Sequence, residues 1–365
     1  MKYYKLQELC IDIIDCPHST PNWKNEGIRV IRNFNLKDGN IDFIDGYFVD
    51  EATYIERTKR AVPEEGDIII SREAPMGVVG IVPKGLKCCL GQRLVLLKVN
   101  KQKCDPFYLL NTLMSDFVQT QFRRADATGS IVSNLCIPDL KEIIIPVIEH
   151  GQREVASFFE MINRKRTINN MINDNLSAMA YDIYMHTFFP KKPNAKLKDI
   201  LTEAEKSAIQ VGEAKTSNGK YPFFTSGATI LKWNEPFVDG RNCFLNTGGN
   251  ADVKFYVGKA AYSTDTWSIS AKSEMSDYLY LMLFSIKPEL DQKFFQGTGL
   301  KHLQKPLLKN RPIYVPEKME LEAFNRQVMP MFDIISENTR ENQQLTSLRD
   351  WLLPMLMNGQ ATISD

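Results

Sequence analysis

The sequence has little that belongs to membrane proteins or to strongly charged proteins. It has no run of about 18 consecutive apolar residues, which excludes a transmembrane helix of the usual length. Its 45 Lys and Arg residues are balanced by 44 Asp and Glu residues, so a protein that coats nucleic acid through bulk positive charge is disfavoured. The polar start of the chain lacks the apolar core of a signal peptide, and we expect a cytoplasmic protein.

Motifs for metal binding and catalysis are missing as well. The seven cysteines form an odd set with no C-x-x-C pair, so we expect reduced, mostly buried thiols and neither a disulfide framework nor a zinc site. There is no phosphate-binding G-x-x-x-x-G-K-[ST] loop, no H-E-x-x-H motif, no G-x-S-x-G elbow and no Asn-Pro-Pro-Tyr methyltransferase box. The four histidines do not pair at metal-ligand spacing. These absences favour a binding protein over an enzyme, with no catalytic residue and no metal site.

What the chain does contain is an internal repeat. Each copy opens with a K-L-x-[ED]-[LI]-like segment, continues with an apolar strand that runs into a glycine turn, and closes with an apolar segment ending in proline. The matching segments are, in order, residues 5–9 and 196–200, residues 67–71 and 242–246, and the segments that end at Pro146 and Pro316. A long helical pattern follows each proline. The repeat predicts β-rich domains over 1–148 and 191–316, helices over 149–190 and 317–358, and a C-terminal tail at 359–365.

The two helical patterns have a heptad spacing, with apolar residues at alternating steps of three and four. The predicted seam residues are Val155, Phe158, Ile162, Ile172, Leu176, Met179 and Ile183 in the first helix, and Leu321, Phe324, Val328, Met331, Ile335, Leu345, Leu348, Leu352 and Met355 in the second. Polar residues fill the seam at Lys165, Asn169, Asn338 and Asn342. Because polar seam residues fix register, these interruptions predict that the helices pair with each other. The alternative is two unrelated amphipathic helices, each packed on its own domain.

These patterns predict an α+β fold with a pseudo-two-fold internal repeat, in which two β-rich domains are joined by two long antiparallel helices in a coiled coil. A helix of about 38 residues rises about 57 Å, so a helix pair of this length would set the separation of the two domains. Pro330 is expected to kink or delay the second helix.

Two basic stretches interrupt the overall charge balance. Residues 72–103 carry seven Lys or Arg residues against Glu73 alone, and residues 293–311 carry five with no acid. Two such stretches suit an anionic partner that is touched in two places, which favours DNA. The alternative is that both are solvated faces whose charge is offset by acids nearby in the fold.

We predict that side chains at turns and strand ends contact DNA. The proline-containing loop at 15–21 presents three hydrogen-bonding side chains, and the first basic stretch adds arginines whose guanidinium groups can fork onto guanine. On this prediction, Arg72→Ala relaxes specificity at one base, whereas a change at Lys87 weakens all sequences alike. The predicted DNA contacts are His18, Ser19, Thr20, Arg32, Arg72, Lys84, Lys87, Arg93, Ser130, Asn246, Thr247, Asn250, Lys254, Lys301 and His302.

In their order along the chain, these features resemble the specificity (S) subunit of type I restriction-modification systems. The resemblance covers essentially the whole chain. It rests on the loop at 15–21, the segments at 27–32 and 66–71, the pair Gly129-Ser130, and the proline closures of both copies. The second copy departs more, since its recognition region shares little with the first and its helix lacks the Gln-Arg entry found at 152–153.

The resemblance implies two target-recognition domains that read different half-sites of an asymmetric, bipartite sequence in double-stranded DNA, separated by a fixed spacer. It also implies docked methyltransferase (M) subunits and restriction translocase-nuclease (R) subunits, with no membrane partner. S-adenosylmethionine, ATP and Mg would belong to those partners, and this chain would bind no cofactor itself. Two other functions stay open, namely a fused restriction-enzyme fragment with its own nuclease site, and a coiled-coil scaffold that bridges proteins without reading sequence.

Overall fold

The fold is taken from a computed structural model that describes residues 1–43, 46–73, 75–126, 134–217, 219–297, 299–357 and 360–361. The chain forms two compact units. The first unit comprises Met1–Arg166 together with Gln344–Asp365, and the second comprises Thr167–Gln343.

The first unit contains eleven strands and five short helices among its described residues. The strands are β1 (Lys2–Lys5), β2 (Cys10–Asp15), β3 (Ile28–Ile31), β4 (Leu36–Lys37), β5 (Asn40–Ile41), β6 (Tyr47–Val49), β7 (Ile68–Ser71), β8 (Val79–Ile81), β9 (Cys88–Leu90), β10 (Leu94–Val99) and β11 (Ile144–Val147). The helices are α1 (Leu6–Leu9), α2 (Glu51–Arg57), α3 (Pro106–Met114), α4 (Asp116–Asp126) and α5 (Ile137–Glu142), and the long helix α6 (Gln152–Thr187) follows them.

Two sheets organise the first unit. One has the order β2-β10-β7-β8 and is antiparallel throughout, and the other has the order β6-β3-β9, in which β3 and β9 run parallel. Alternate side chains of β7 enter two different cores, since Ile68 and Ile70 pack with the helices while Ile69 packs on the opposite face. A strand that is buried on both faces has no polar side, which explains the unbroken apolar run in the sequence.

The sequence over residues 106–123 has one continuous helical pattern, but it forms two helices. Ser115 has an extended backbone between α3 and α4, and its hydroxyl oxygen accepts a hydrogen bond from the Val118 amide at 3.4 Å. The serine therefore begins a new helix, which a continuous apolar pattern did not indicate.

The second unit repeats this plan. Its strands are β12 (Ala195–Lys196), β13 (Leu201–Glu203), β14 (Tyr221–Phe224), β15 (Leu231–Trp233), β16 (Arg241–Asn246), β17 (Val253–Val257), β18 (Ala261–Tyr262), β19 (Thr266–Ala271), β20 (Phe295–Gln296), β21 (His302–Leu303) and β22 (Pro312–Ile313). Its helices are α7 (Leu197–Ile200), α8 (Val211–Lys215), α9 (Ser276–Ser285), α10 (Lys287–Glu289) and α11 (Lys305–Lys309), and the long helix α12 (Lys318–Met357) follows them.

The sheet topology of the second unit confirms the internal repeat. The order β13-β19-β16-β17 corresponds to β2-β10-β7-β8, and β15-β14-β18 corresponds to β6-β3-β9, with the same parallel pair. The small sheet β12-β22 corresponds to β1-β11. Strand β16 also divides its side chains between two cores, with Cys243 and Leu245 in one and Phe244 in the other. The chain is therefore an α+β protein in which one β-rich plan occurs twice.

Helices α6 and α12 contribute residues to both units. Within the second unit they are joined by asparagines. The amide nitrogen of Asn169 donates to Oδ1 of Asn342 at 3.0 Å, and that of Asn338 donates to Oδ1 of Asn173 at 2.9 Å. Residue numbers rise on one helix as they fall on the other, so the pair is antiparallel. In the first unit, Phe159 of α6 and Leu353 of α12 belong to one apolar core. The predicted pairing of the two helices is confirmed, and the alternative that each helix packs only on its own domain is wrong.

The seam of α6 differs from the predicted one at every second position. Val155, Ile162 and Asn169 are buried as predicted, but Phe159 replaces Phe158 as the fully buried ring and Met179 is 52% exposed. Lys165 also lies on the exposed face. Two neighbouring apolar stripes fit the heptad spacing equally well in sequence, and only contact with the second helix distinguishes them.

Helix α12 runs without a break through Pro330, so the expected delay of this helix is wrong. No helix among the described residues is long and apolar enough to cross a membrane. All seven cysteines are free thiols, of which six are buried and Cys136 is partly exposed. The prediction of reduced, mostly buried thiols is thus confirmed.

Candidate nucleic-acid interface

The loop at 15–21 is held to the first unit by backbone contacts that leave its polar side chains outside. The buried guanidinium of Arg57 donates to the carbonyl oxygens of Leu90 at 3.0 and 2.9 Å and of Ser19 at 3.0 Å. Gln92 donates to the carbonyl oxygen of His18. The side chains of His18, Ser19 and Thr20 are all exposed. The loop therefore presents them from a fixed backbone, and nothing in the sequence marked Arg57 or Gln92 for this role.

Arg72 holds the same loop through Asp15, which corrects its predicted role as a DNA contact. Its Nη1 lies 2.9 Å from both carboxylate oxygens of Asp15, and its Nε donates to the Leu135 carbonyl at 3.0 Å. Its side chain is only 13% exposed. Strands β2 and β7 flank β10, so the sheet brings Asp15 and Arg72 together although 57 residues separate them. Arg72 therefore has a structural role in holding the loop, and its prediction as a base contact is corrected.

Arg32 follows β3 and lies among aromatic rings. Its guanidinium carbon is 4.6 Å from the ring centre of Tyr47, 5.2 Å from that of Phe34 and 5.6 Å from that of Trp23. Trp23 and Phe34 are exposed, whereas Arg32 is half-buried. Sequence reasoning selected Arg32 but missed the rings, because they come from three segments that only the fold assembles.

The turn between β9 and β10 lies beside Arg32. A Cβ atom on Gly91 would lie 3.0 Å from Cγ of Arg32 and 3.0 Å from the Ile31 carbonyl oxygen, so any larger residue there would press on Arg32. Arg93 adopts a φ of 66°, and its Nε lies 3.2 Å from a carboxylate oxygen of Glu73. We call the group of His18, Trp23, Arg32, Tyr47 and Gln92 the Arg32 edge. Two of its members, His18 and Arg32, are predicted contacts, and the structure adds the other three.

Two predicted lysines lie at the other end of β9. Lys87 is 2.8 Å from both carboxylate oxygens of Glu51, and its ammonium group lies 4.7 Å from the ring centre of Tyr54. Lys84 is exposed and has no ionic partner within the described ranges. The predicted contact Ser130 lies outside the described residues, as does the rest of its segment at 127–133.

The first basic stretch is neutralised only in part inside the unit. Lys98 lies 2.7 Å from carboxylate oxygens of both Glu64 and Asp67, and Arg72, Lys87 and Arg93 also pair with acids. Lys101 and Lys103 donate to backbone carbonyl oxygens and keep their charge. The structure therefore offsets about half of the positive charge that the sequence places in this stretch.

In the second unit, four predicted contacts line one open cleft of about 790 Å³. They are Asn246, Thr247, Asn250 and His302, which surround the turn at Gly248 and Gly249. Backbone pairing between Gly248 and His302 closes one side of the cleft. The cleft also contains Asp265 and Lys287. The side chains of Asn250 and His302 are exposed, so they are the two predicted contacts that the cleft leaves open to a ligand.

The buried Asn246 has a structural role, which corrects its prediction as a DNA contact. Its amide nitrogen donates to the carbonyl oxygens of Gly248, at 2.8 Å, and of Asn250, and its Oδ1 accepts from the Asp252 amide at 2.7 Å. Ser71 closes the corresponding turn of the first unit through hydrogen bonds of 2.6 and 2.9 Å. A polar residue at the end of the central strand therefore ties down the turn in both copies.

Thr247, Lys254 and Lys301 are also engaged within the unit. Thr247 donates from its hydroxyl to the Asp265 carbonyl at 3.0 Å. Lys254 donates to the Thr225 carbonyl at 2.9 Å with its side chain only 16% exposed, which makes it a poor candidate for DNA contact. Lys301 lies 2.8 Å from Asp291 and stays partly exposed.

The second basic stretch is mostly neutralised too. Lys293 and Arg311 pair with Glu289, and Lys309 pairs with Glu203. Lys305 has no ion pair within the described ranges, and its ammonium group lies 4.9 Å from the ring centre of Trp267. Burial lowers the pKa of Lys305, and the neighbouring Lys309 lowers it further, against the opposing effect of Glu203. No described residues form a cluster of three or more metal-binding side chains.

Comparison with known proteins agrees with the duplicated fold. A family model for the type I restriction modification DNA specificity domain matches residues 1–178 and again 192–347. The chain is 20% identical over 371 residues to the type I restriction enzyme MjaIX specificity subunit of Methanocaldococcus jannaschii, covering 86% of this chain and 85% of that one. It is 33% identical over 96 residues to the HindI specificity subunit of Haemophilus influenzae, covering 26% and 21%.

A solved structure has the same fold. The type I restriction-modification S subunit from M. genitalium superposes with a TM-score of 0.58 at 14% identity, covering 100% of this chain and 96% of that one. The two matched domains coincide with the two copies of the sheet topology. The chain belongs to the family of type I restriction-modification specificity subunits.

Proposed function

We propose that this specificity subunit reads a bipartite, asymmetric sequence in double-stranded DNA, with one half-site for each unit. One observation carries the proposal, namely that the same sheet order occurs twice but presents its exposed polar side chains at different places in the two units. The first unit presents Arg32 with its rings and His18, and the second presents Asn250 and His302 around a cleft. Base edges are distinguished by their donor and acceptor patterns, so two surfaces of different chemistry favour two different words.

The long helices are proposed to set the spacer between the half-sites. Helix α6 has 36 residues, which corresponds to a rise of about 54 Å. The asparagine contacts between Asn169 and Asn342 and between Asn173 and Asn338 fix the register of the two helices. Buried polar pairs of this kind are the best-attested means of specifying register in paired helices.

Methyltransferase subunits are proposed to dock on the recognition domains and helices, and restriction translocase-nuclease subunits to join them. The relatives are named as specificity subunits of type I restriction enzymes, which supports a role as one subunit of a larger complex. S-adenosylmethionine, ATP and Mg are then expected on the partners. This subunit supplies sequence recognition without a catalytic step, in the cytoplasm where its DNA lies.

The test is to map methylated sites in cells that carry the chain with its methyltransferase partner. We expect one motif with two unlike half-sites and a constant gap. Arg32→Ala should alter only one half-site, and His302→Ala only the other. A motif with a single word would contradict the proposal. DNA cleavage by the pure chain with Mg would favour the nuclease alternative, and no enriched word with the partner present would favour the scaffold.

A further inference from the structure

Arg32 carries a set of hydrogen-bond donors that the protein does not use. Its guanidinium donates to no carboxylate and no carbonyl oxygen among the described residues. Its contacts are the rings of Trp23, Phe34 and Tyr47, at 5.6, 5.2 and 4.6 Å from the ring centres. By contrast, the two arginines of the first basic stretch, Arg72 and Arg93, both pair with acids. Arg32 is therefore held in place by aromatic contacts while its N–H groups stay available.

Ring contacts and hydrogen bonds use different parts of a guanidinium group. Aromatic faces attract the cation through its flat surface, whereas the N–H groups point outward in the plane. A guanidinium held on several rings therefore loses little further freedom when two of its donors engage a ligand. Such a rigid, planar fork suits a ligand that offers two acceptors side by side.

The neighbours of Arg32 favour a base over a phosphate group. His18 and Gln92, the hydrogen-bonding side chains of the Arg32 edge, carry no permanent charge, and Arg93 in the adjacent turn is paired with Glu73. Phosphate anchoring depends mainly on positive charge, and the Arg32 edge contains no lysine. Guanine presents O6 and N7 side by side in the major groove, and arginine is the commonest residue to contact both.

We propose that Arg32 reads a guanine in one half-site through two hydrogen bonds, to O6 and N7. Trp23, Phe34 and Tyr47 are positioning residues that fix the plane of the guanidinium. This inference rests on the proposed function of the chain as a reader of DNA, and it adds the base and the side chains that recognise it.

The experiment measures methylation rates of the complex with its methyltransferase partner. The substrates are duplexes that carry each of the four bases in turn at every position of the motif. The ratio of cognate to substituted rates is used because it does not depend on overall activity. We expect Arg32→Ala and Arg32→Lys to lower this ratio roughly 5- to 150-fold at one G·C position and at no other. Trp23→Leu should lower it at the same position by a smaller factor.

Arg29 supplies a matched control. It lies on the same strand, and its guanidinium carbon lies 5.1 Å from the ring centres of both Phe43 and Phe48. Its Nη1, however, donates to the Phe43 carbonyl at 3.3 Å. Arg29→Ala should therefore leave every ratio unchanged.

Several results would overturn the inference and leave the proposed function intact. Arg32→Lys with full discrimination would show that charge alone suffices, as at a phosphate. An equal loss of rate on all duplexes by either Arg32 variant would lead to the same conclusion. Relaxation at an A·T position would show that Arg32 contacts a base other than guanine. By contrast, a wild-type complex that methylates no bipartite motif would refute the proposed function itself.

Discussion

Replacing Arg72 by alanine should destabilise the first unit and leave the recognised DNA sequence unchanged. The guanidinium forms a charge-assisted contact to both oxygens of Asp15 and a hydrogen bond to the Leu135 carbonyl. Both charged side chains are mostly buried, at 13% and 25% exposure. Removing one partner of a fully buried pair costs about 3–5 kcal/mol, and the partial exposure here reduces the expected loss to about 2–4 kcal/mol.

Thermal unfolding of the full chain measures this loss. For a unit of this size, about 1 kcal/mol corresponds to a shift in Tm of about 2–4 °C, so Arg72→Ala should lower the transition of the first unit by roughly 4–16 °C. Lys84→Ala is the matched control, since Lys84 is exposed and has no ionic partner within the described ranges. Its effect should stay within about 0.5 kcal/mol.

The recognised sequence is measured in parallel from methylation of the motif. Arg57 and Gln92 still hold the loop in the Arg72→Ala variant, so the motif should keep all its bases. An unchanged Tm together with relaxed specificity at a single base would refute this reasoning. It would restore the role that the sequence suggested for Arg72.

Three further predictions concern stability and thiol reactivity. Asn169→Leu should cost about 1–3 kcal/mol in chemical unfolding, because Asn342 and Glu341 both lose a hydrogen-bond donor. The double change of Asn169 and Asn342 to leucine should recover part of this loss, whereas additive losses would contradict the pairing of the two asparagines. Burial raises the pKa of the six buried thiols. Alkylation of the native chain followed by peptide mass spectrometry should therefore label Cys136 first, because it is the one partly exposed thiol. Early labelling of another cysteine would show that the core opens. Burial alone would raise the pKa of Asp252, but Lys287 and Lys254 outweigh this effect and hold the pKa below its usual value of 3.8. The stabilisation from the ion pair of Asp252 and Lys287 is complete above pH 3.8 and is lost as pH falls through the lowered pKa of Asp252. The amount by which Lys287→Met lowers the Tm should therefore shrink below pH 3.8. A Tm difference that stays constant with pH would be inconsistent with the ion pair.

The duplicated plan could be predicted because it depends on local patterns in a fixed order. Apolar strands that run into glycine turns recur in both halves, and the structure places them at β7 and β16 in equivalent sheets. The asparagines at 169, 338 and 342 predicted paired helices for the same reason, since a polar residue in an apolar seam requires a partner. The choice between Phe158 and Phe159 could not be made, because both fit a heptad.

The candidate site was predicted only in part. The sequence pointed to Arg32 and His302, which donate to no acid among the described residues, and to His18, which is exposed but lies 3.1 Å from the Asp15 carboxylate. It gave equal weight to Arg72 and Asn246, whose polar atoms form hydrogen bonds within the protein. Arg32 and Arg72 are the same residue type, and what differs is the group that the fold places beside each guanidinium.

By itself, the sequence determined the repeat, the paired helices and the reduced state of the thiols, because periodicity and spacing are properties of neighbouring residues. Only the tertiary structure decided which cations stay free. Strand order brings Asp15 to Arg72 and the ring of Tyr47 to Arg32. A carboxylate neutralises the guanidinium of Arg72, whereas aromatic rings hold that of Arg32 and leave its N–H groups without an acceptor among the described residues.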